Sequence, residues 1–534
     1  RPVTPHPNRP LHLFAALLLA APLAFPVAEL AARPAGFAAL LEAPRAAPLI
    51  LNTLGLAAGA VLVAVPLGTA AAVALERGRV PGRALLRGLV VIGLVVPLPV
   101  HAAAWQAVFR VAALPDAGGW RPWALGLAPA AWVHGVAGLP WVAASVALAL
   151  RTTDPRLEDD ARLLGGRRAA WRWVLWPRVR AAALAGACWV AVLAFTESAV
   201  TDLFMVRTFA EEVYFQLVGN PAGVAAAVAV TLPAWLAAAV AGGLILRRGA
   251  ALRVPADPPE PREPAGSWSL AAAVWLGALV LVGVPVAGLV ARTGDAEQLA
   301  RVARTHGGTL ASSGVWAAAA GLIAARLALA ACVWARDSRP AARLLLGSTA
   351  VAWVTPAPVI GLGLKGLIGV LVAAEDAVLG PAAAFAPVRA LLYDQPSPVA
   401  PVWAAVVKFF PVAVAILWPA VRAVPHELGE AALLDGGPRA VRRGAIGPAT
   451  GRAVRLAAGA VALLALGEVV ATKLVQPPGW RTFAGDLFDA MHYGADATVA
   501  AMCLLHVAVA GLAAVALLAP WDSRAESVAN RENH

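Results

Sequence analysis

An all-α polytopic membrane protein is the fold the sequence predicts, on three observations. Of 534 residues, 60% are hydrophobic and only 14% charged, against about 45–50% apolar and roughly 25% charged in soluble domains. Mean hydropathy is +0.73. The apolar residues gather into runs near the ~20-residue length that crosses a bilayer, enough for about 12 transmembrane helices and little else. The same balance excludes a disordered chain, whose apolar and charged contents are reversed.

In chain order, the first run is Leu11–Ala32. A signal peptide has an apolar core of only about 7–15 residues, so this run reads as a retained helix. Runs at 48–75, 84–111, 122–150, 181–206 and 222–246 complete a first set. Residues 247–268 are polar and Pro-rich and read as a linker. A second set follows at 269–291, 309–334, 341–372, 399–421, 452–475 and 495–519. Pro97, Pro99, Pro356 and Pro358 fall inside two of these runs, where neighbouring helices are expected to satisfy the freed carbonyls.

The net charge is +12, from 43 Lys+Arg against 31 Asp+Glu. In a soluble protein this surplus would point to nucleic acid. Here it follows the positive-inside rule, and no nucleic-acid partner is expected. Arg concentrates in 76–88, 151–180, 247–268, 335–343 and 422–456, whereas the alternate connections hold Glu211, Glu212, Asp295, Glu297, Glu375 and Asp376. With an even number of spans, both termini are expected in the cytoplasm. Cys188, Cys332 and Cys503 lie in apolar runs without metal spacing and read as inert buried thiols.

The two sets of spans are related in sequence. Asp159–Pro177 aligns with Glu430–Pro448 at an offset of 271, which also pairs Trp132 with Trp403, Pro140 with Pro411 and Glu197 with Glu468. PLPV at Pro97 pairs with PAPV at Pro356 at an offset of 259, and RTFA at Arg207 with RTFA at Arg481 at 274. Such drift is ordinary loop-length variation. Two copies of about six spans each begin and end on one side, so the halves are expected to be parallel repeats.

Between the fourth and fifth spans of each half lies a polar loop with one pattern. It reads Asp159, Asp160, Ala161, Gly165, Leu175 and Pro177 in the first half, and Glu430, Ala431, Ala432, Gly436, Ile446 and Pro448 in the second. The pattern predicts a short helix, a Gly-bearing turn and a second short helix ended by Pro. The acidic residue sits near a helix N-terminus, where the dipole favours it. Such an Arg-rich knob outside the membrane suits docking.

These loops resemble the EAA loops of binding-protein-dependent ABC-transporter permeases, the type I importers of MetI-like fold. The likeness is closest to the fused, double-length permeases of the iron(III)/thiamine type. It covers roughly 48–246 and 305–519 and extends to PLPV/PAPV and to Val206–Leu217. Asp159-Asp160 stands where the family has Glu-Ala, and the final Pro arrives one residue early in both halves. The resemblance implies an N-terminal helix and loop (1–47), a first permease domain (48–246), a linker with an extra helix (247–304), a second permease domain (305–520) and a cytoplasmic tail (521–534). It implies that each loop seats in an ATPase subunit, the pair forming a homodimer. A separate binding protein would deliver the solute on the periplasmic or extracytoplasmic face of a bacterial inner membrane. Similar permeases carry iron(III), thiamine, polyamines or phosphonates, and iron(III) is the first expectation. The chain has no Walker A motif and no Gly-Lys pair. ATP hydrolysis is therefore expected on another chain, with no cofactor or metal bound here and no enzyme activity.

Ionisable residues within spans mark function by default. Glu197 and Glu468 hold equivalent places, as do Asp202 and Lys473 with opposite charges. The four are expected to line the translocation route or its gate, the last two as a pseudo-symmetric acid–base pair. Lys365 and Lys408 show no acidic partner in sequence, and His101, His134 and His506 read as satisfied core histidines. Two other classes compete. A major-facilitator secondary transporter also has about twelve spans in parallel halves, and Glu76–Arg83 faintly resembles its basic loop. A membrane-embedded prenyl transferase would use an aspartate-rich Mg²⁺ site, but Leu163 stands where the motif after Asp159-Asp160 requires Asp.

Overall fold

The computed structural model describes residues 9–41, 43–112, 123, 125–220, 222–247, 268–380, 383, 385–494 and 496–518. Most of the expected linker, the extreme N-terminus and the 521–534 tail lie outside the described residues. The described chain is helical, with no strand, as a bilayer demands of any open-ended span whose amides have no water to bond. Among the described residues, nine helices are long and apolar enough to cross a membrane, ten if one bent pair is a single span. The protein is an all-helical, multi-pass membrane protein.

The first half runs through α1 (Arg9–Ala32), α2 (Ala43–Arg77), α3 (Arg83–Val95), α4 (Leu98–Ala112), α5 (Leu127–Arg151), α6 (Pro155–Ala169), α7 (Trp176–Thr196), α8 (Ala199–Leu203), α9 (Phe209–Gly219), α10 (Val224–Ala229) and α11 (Leu232–Arg247). After the linker come α12 (Trp268–Ala278) and α13 (Val284–Thr293), continuous through a π turn. The second half then follows as α14 (Ala296–Ala335), α15 (Arg339–Val354), α16 (Ala357–Leu379), α17 (Val399–Ala423), α18 (His426–Ala440), α19 (Gly447–Leu466), α20 (Val470–Val475), α21 (Phe483–His492) and α22 (Asp496–Leu518).

Four of the twelve expected runs differ from single long spans. Two are shorter apolar helices, Leu17–Ala32 and Val224–Ala237. The third, 84–111, is the bent pair α3 and α4, which meet at 110°. The run 341–372 likewise divides into α15 and α16. The proline-bearing runs are therefore broken rather than continuous, which corrects the sequence reading. Val96 (φ −70°, ψ 123°) and Thr355 (φ −74°, ψ 121°) are both extended, because the ring of the following proline drives its predecessor out of the helical region.

The two sets of elements recur in one order, and fine details recur with them. The amide of Phe209 donates to Thr53 Oγ1 at 3.2 Å, and that of Phe483 to Ser313 Oγ at 2.9 Å. Arg77 donates to the Leu150 carbonyl and Arg336 to the Val424 carbonyl, each tying the end of the first long helix of its half to the end of the fourth-span helix. Chain order does not decide which half each flanking helix serves. Helix α1 packs on α16, where a Cβ on Gly363 would lie 1.9 Å from the Pro22 carbonyl oxygen. Trp403 Nε1 donates to Leu18 O at 2.8 Å. Helix α12 packs instead on the first half, through Ala271 against Leu75, Val80 and Leu86 and through Trp275 Nε1 donating to Pro81 O. Each flanking helix thus embraces the opposite half, which ties the halves together. In lipid such contacts draw on close packing rather than on hydrophobic exclusion.

Candidate functional site

The polar loops are built alike. In α6, Gly165 (φ −159°, ψ 22°) and Gly166 (φ 69°, ψ −166°) break the helix; in α18, Gly436 (φ −168°, ψ 21°) and Gly437 (φ 68°, ψ −160°) do the same. The second glycine of each pair occupies a region open essentially to glycine alone. Gly166→Ala is expected to cost about 1–3 kcal/mol, read as a lowered melting temperature. Gly88→Ala, in open space on α3, serves as the control and should be neutral or slightly stabilising.

Beyond the break each chain passes through a π turn, Ala170–Leu175 or Val441–Ile446, straight into α7 or α19. Pro177 and Pro448 sit in the first turn of these membrane helices. They do not end a second short helix, as the sequence pattern suggested: the chain stays helical from the π turn on into the membrane helix.

Asp159, Asp160, Gly165, Glu430, Ala431 and Gly436 are exposed, and Ala161 and Ala432 half-buried. The buried acid of the first loop is Glu158, which sequence reading passed over. It is 0% exposed and bonds Arg162 at 2.7 Å, with Arg77 at 3.4 Å. Glu76 holds Arg151 at 2.7 Å and Arg87 at 2.9 Å beside it. The second loop has Gly429 in place of Glu158 and is held through Asp337, which lies 3.7 Å from both Arg336 and His426. Onto these anchored helices the sequence places apolar side chains facing outward. Leu163 is 86% and Leu434 89% exposed, and Leu157 and Leu428 are exposed at equivalent positions.

A cavity of about 210 Å³ lies between the halves. Glu197 and Glu468 line it from the ends of α7 and α19, where the helices stop and α8 and α20 begin. Glu197 accepts from the amides of Ala199 (2.7 Å) and Val200 (3.1 Å), and Glu468 from Ala471 (2.7 Å). Both carboxylates therefore cap the helix that follows. Lys408 of α17 is ion-paired with Glu468, and His134 Nε2 of α5 stands 3.5 Å from Glu197. Both groups were expected to be isolated; sequence separation concealed the pairing. Trp141, Trp189, Trp353 and Phe409 form an aromatic wall, with Trp189 and Trp353 from opposite halves at 4.1 Å between centroids. Gly467 allows the halves to meet beside the cavity, since its Cβ would fall 2.1 Å from Pro97 Cγ.

Asp202 and Lys473 do not line this cavity, and they do not pair with each other. Both reach α21: Asp202 bonds His492 Nε2 at 2.9 Å, and Lys473 pairs with Asp489. Helix α7 is 21 residues long, about 30 Å, so this group lies across the membrane from the loops. Burial disfavours the His492 charge, but the Phe488 carbonyl and Asp202 outweigh it and raise its pKa. A raised histidine pKa contributes stability below its unfolded value of about 6.5, lost as pH rises through the folded value. Melting curves of wild type and Asp202→Asn should therefore separate near pH 6 and converge at alkaline pH, by less than about 1 kcal/mol for so exposed a pair.

His506 is not a satisfied core histidine. It is buried, stacked on Phe483, and neither ring nitrogen has a partner among the described residues. Among the described residues, no group of three or more His, Cys, Asp or Glu is placed to hold a metal ion. Comparison of the chain with protein-family models, curated proteins and solved structures finds no match.

Proposed function

We propose that the chain is the permease subunit of an ATP-driven importer of the type I, MetI-like class. Its halves act as two parallel repeats of about six spans, and together they form the translocation pathway. The observation that carries this reading is the paired loop. Two matched helices present Leu157 and Leu163, or Leu428 and Leu434, to solvent on rigidly anchored supports. Exposed leucines on a charged knob are costly unless a partner covers them, and two such knobs suit a two-fold ATPase dimer. The cavity between the halves, lined by Glu197 and Glu468, supports a route that opens as the halves rock.

On this reading the loops and their arginines face the cytoplasm of a bacterial inner membrane. A solute-binding protein docks on the Asp202–His492 face. Iron(III) would find carboxylates and tryptophans in the cavity rather than a cage of three or more ligands.

The test is affinity capture of the tagged full chain from its own membranes, with uptake measured in proteoliposomes. Recovery of a Walker A-bearing ATPase and ATP-dependent uptake are expected. Uptake driven by a proton gradient with no ATPase recovered would overturn the reading in favour of a secondary transporter.

A further inference from the structure

Glu197 and Glu468 hold equivalent places at the cavity, but the charges beside them differ. In the second half, Lys408 neutralises Glu468. At the offset of 271, Lys408 corresponds to Ala137, and Ala137 lines the cavity. No lysine or arginine reaches Glu197 among the described residues; His134 Nε2 stands 3.5 Å away, and Tyr214 lies within electrostatic reach of both carboxylates. Glu197 therefore lacks the lysine that its counterpart has.

The hydrogen bonding of His134 sharpens this. The side chain is 3% exposed, and Nδ1 lies 2.9 Å from the Ala130 carbonyl. A carbonyl only accepts, so Nδ1 carries a proton, and Nε2 is the nitrogen that faces Glu197. That nitrogen has no hydrogen-bond partner among the described residues, and the Glu197 carboxylate faces it at 3.5 Å. A carboxylate with no lysine or arginine beside it leaves room for a cationic donor. Trp141, Trp189 and Trp353 line the same cavity, and tryptophan faces attract cations and flat groups within about 6 Å.

We infer that the cavity binds an organic ammonium ion. Its charged N–H end replaces beside Glu197 and His134 what Lys408 supplies beside Glu468, and its aryl or alkyl body lies on the tryptophan wall. The inference rests on the cavity being part of the solute route, and it narrows that solute to organic cations. A bare or hydrated metal ion would leave the aromatic wall without a role, and an anion would meet Glu197 unscreened.

Isothermal titration of the purified full chain in nanodiscs decides the matter, with phenethylammonium as probe. Its neutral isostere phenethyl alcohol, Mg²⁺ and ferric citrate are the comparators. Phenethylammonium is expected to bind at least tenfold more tightly than the alcohol. Glu197→Gln should erase that preference, Trp353→Leu should weaken binding several-fold, and Ala137→Lys should abolish it by tethering an ammonium in the site. If Ala137→Lys does not fold, Glu197→Gln alone decides. Equal binding of alcohol and ammonium, binding untouched by Glu197→Gln, or displacement of the probe by ferric citrate or Mg²⁺ overturns the inference. None of these readouts needs an ATPase or uptake. A chain that selects the ammonium but captures no ATPase sustains this inference and defeats the permease reading; the reverse outcome does the opposite.

Discussion

On the proposed reading, replacing Leu163 and Leu434 together by Asp should abolish capture of an ATPase and ATP-dependent uptake while leaving the chain folded. Burying one leucine side chain is worth about 1.5–3 kcal/mol, so either single change should weaken capture by about tenfold to 150-fold. Both residues are almost fully exposed in the chain alone. Surface changes of this kind shift stability by about ±0.5 kcal/mol or less, so melting temperature and membrane yield should match the wild type. The two loops are not equivalent supports. Glu158 with Arg77 and Arg162 braces the first, and Asp337 with Arg336 and His426 the second. Glu158→Gln should therefore loosen the first loop only, reducing capture less than Leu163→Asp and lowering the melting temperature as well. Capture and uptake that survive the double leucine change would remove the coupling role of the loops.

Lys408→Met should be the most destabilising single change beside the cavity. It leaves Glu468, 4% exposed, buried without its cation, a loss of about 3–5 kcal/mol for a broken buried pair. The double variant Lys408→Met with Glu468→Gln should recover most of that loss, because the penalty comes from the stranded charge and not from the missing lysine. Glu197→Gln in the first half should cost less, since no lysine or arginine is stranded by it. Thermal melts of wild type, Lys408→Met, Glu468→Gln and the double variant in one detergent form the cycle that measures the coupling. A Lys408→Met melt equal to wild type would show that the Lys408–Glu468 pair does not stabilise the second half.

Much of this architecture could be read in one dimension. The helical class followed from apolar content, and nine of the expected runs are helices able to cross a membrane among the described residues. The offset of 271 rests on Trp, Pro, Glu, Arg and Gly matches, among them Gly165-Gly166 with Gly436-Gly437, and the structure breaks both helices there with nearly the same dihedral angles. These features are legible because they are local. Span length, a glycine pair and a proline act within a few residues of themselves.

Contact across long separations was not legible. Lys408 and Glu468 are 60 residues apart, and Asp202 and His492 are 290 apart; periodicity carries no trace of either pair. Even Glu158, next to the motif itself, was passed over, because its role depends on Arg77 at the end of another helix. The sequence by itself determined a multi-pass helical membrane chain, since hydrophobicity and backbone hydrogen bonding impose helices on such runs. Only the tertiary structure decided which half α1 and α12 embrace, which charges meet, and that one carboxylate of the cavity lacks the lysine its counterpart has. Those outcomes depend on how helices pack in three dimensions, where a partner is chosen by proximity rather than by order along the chain.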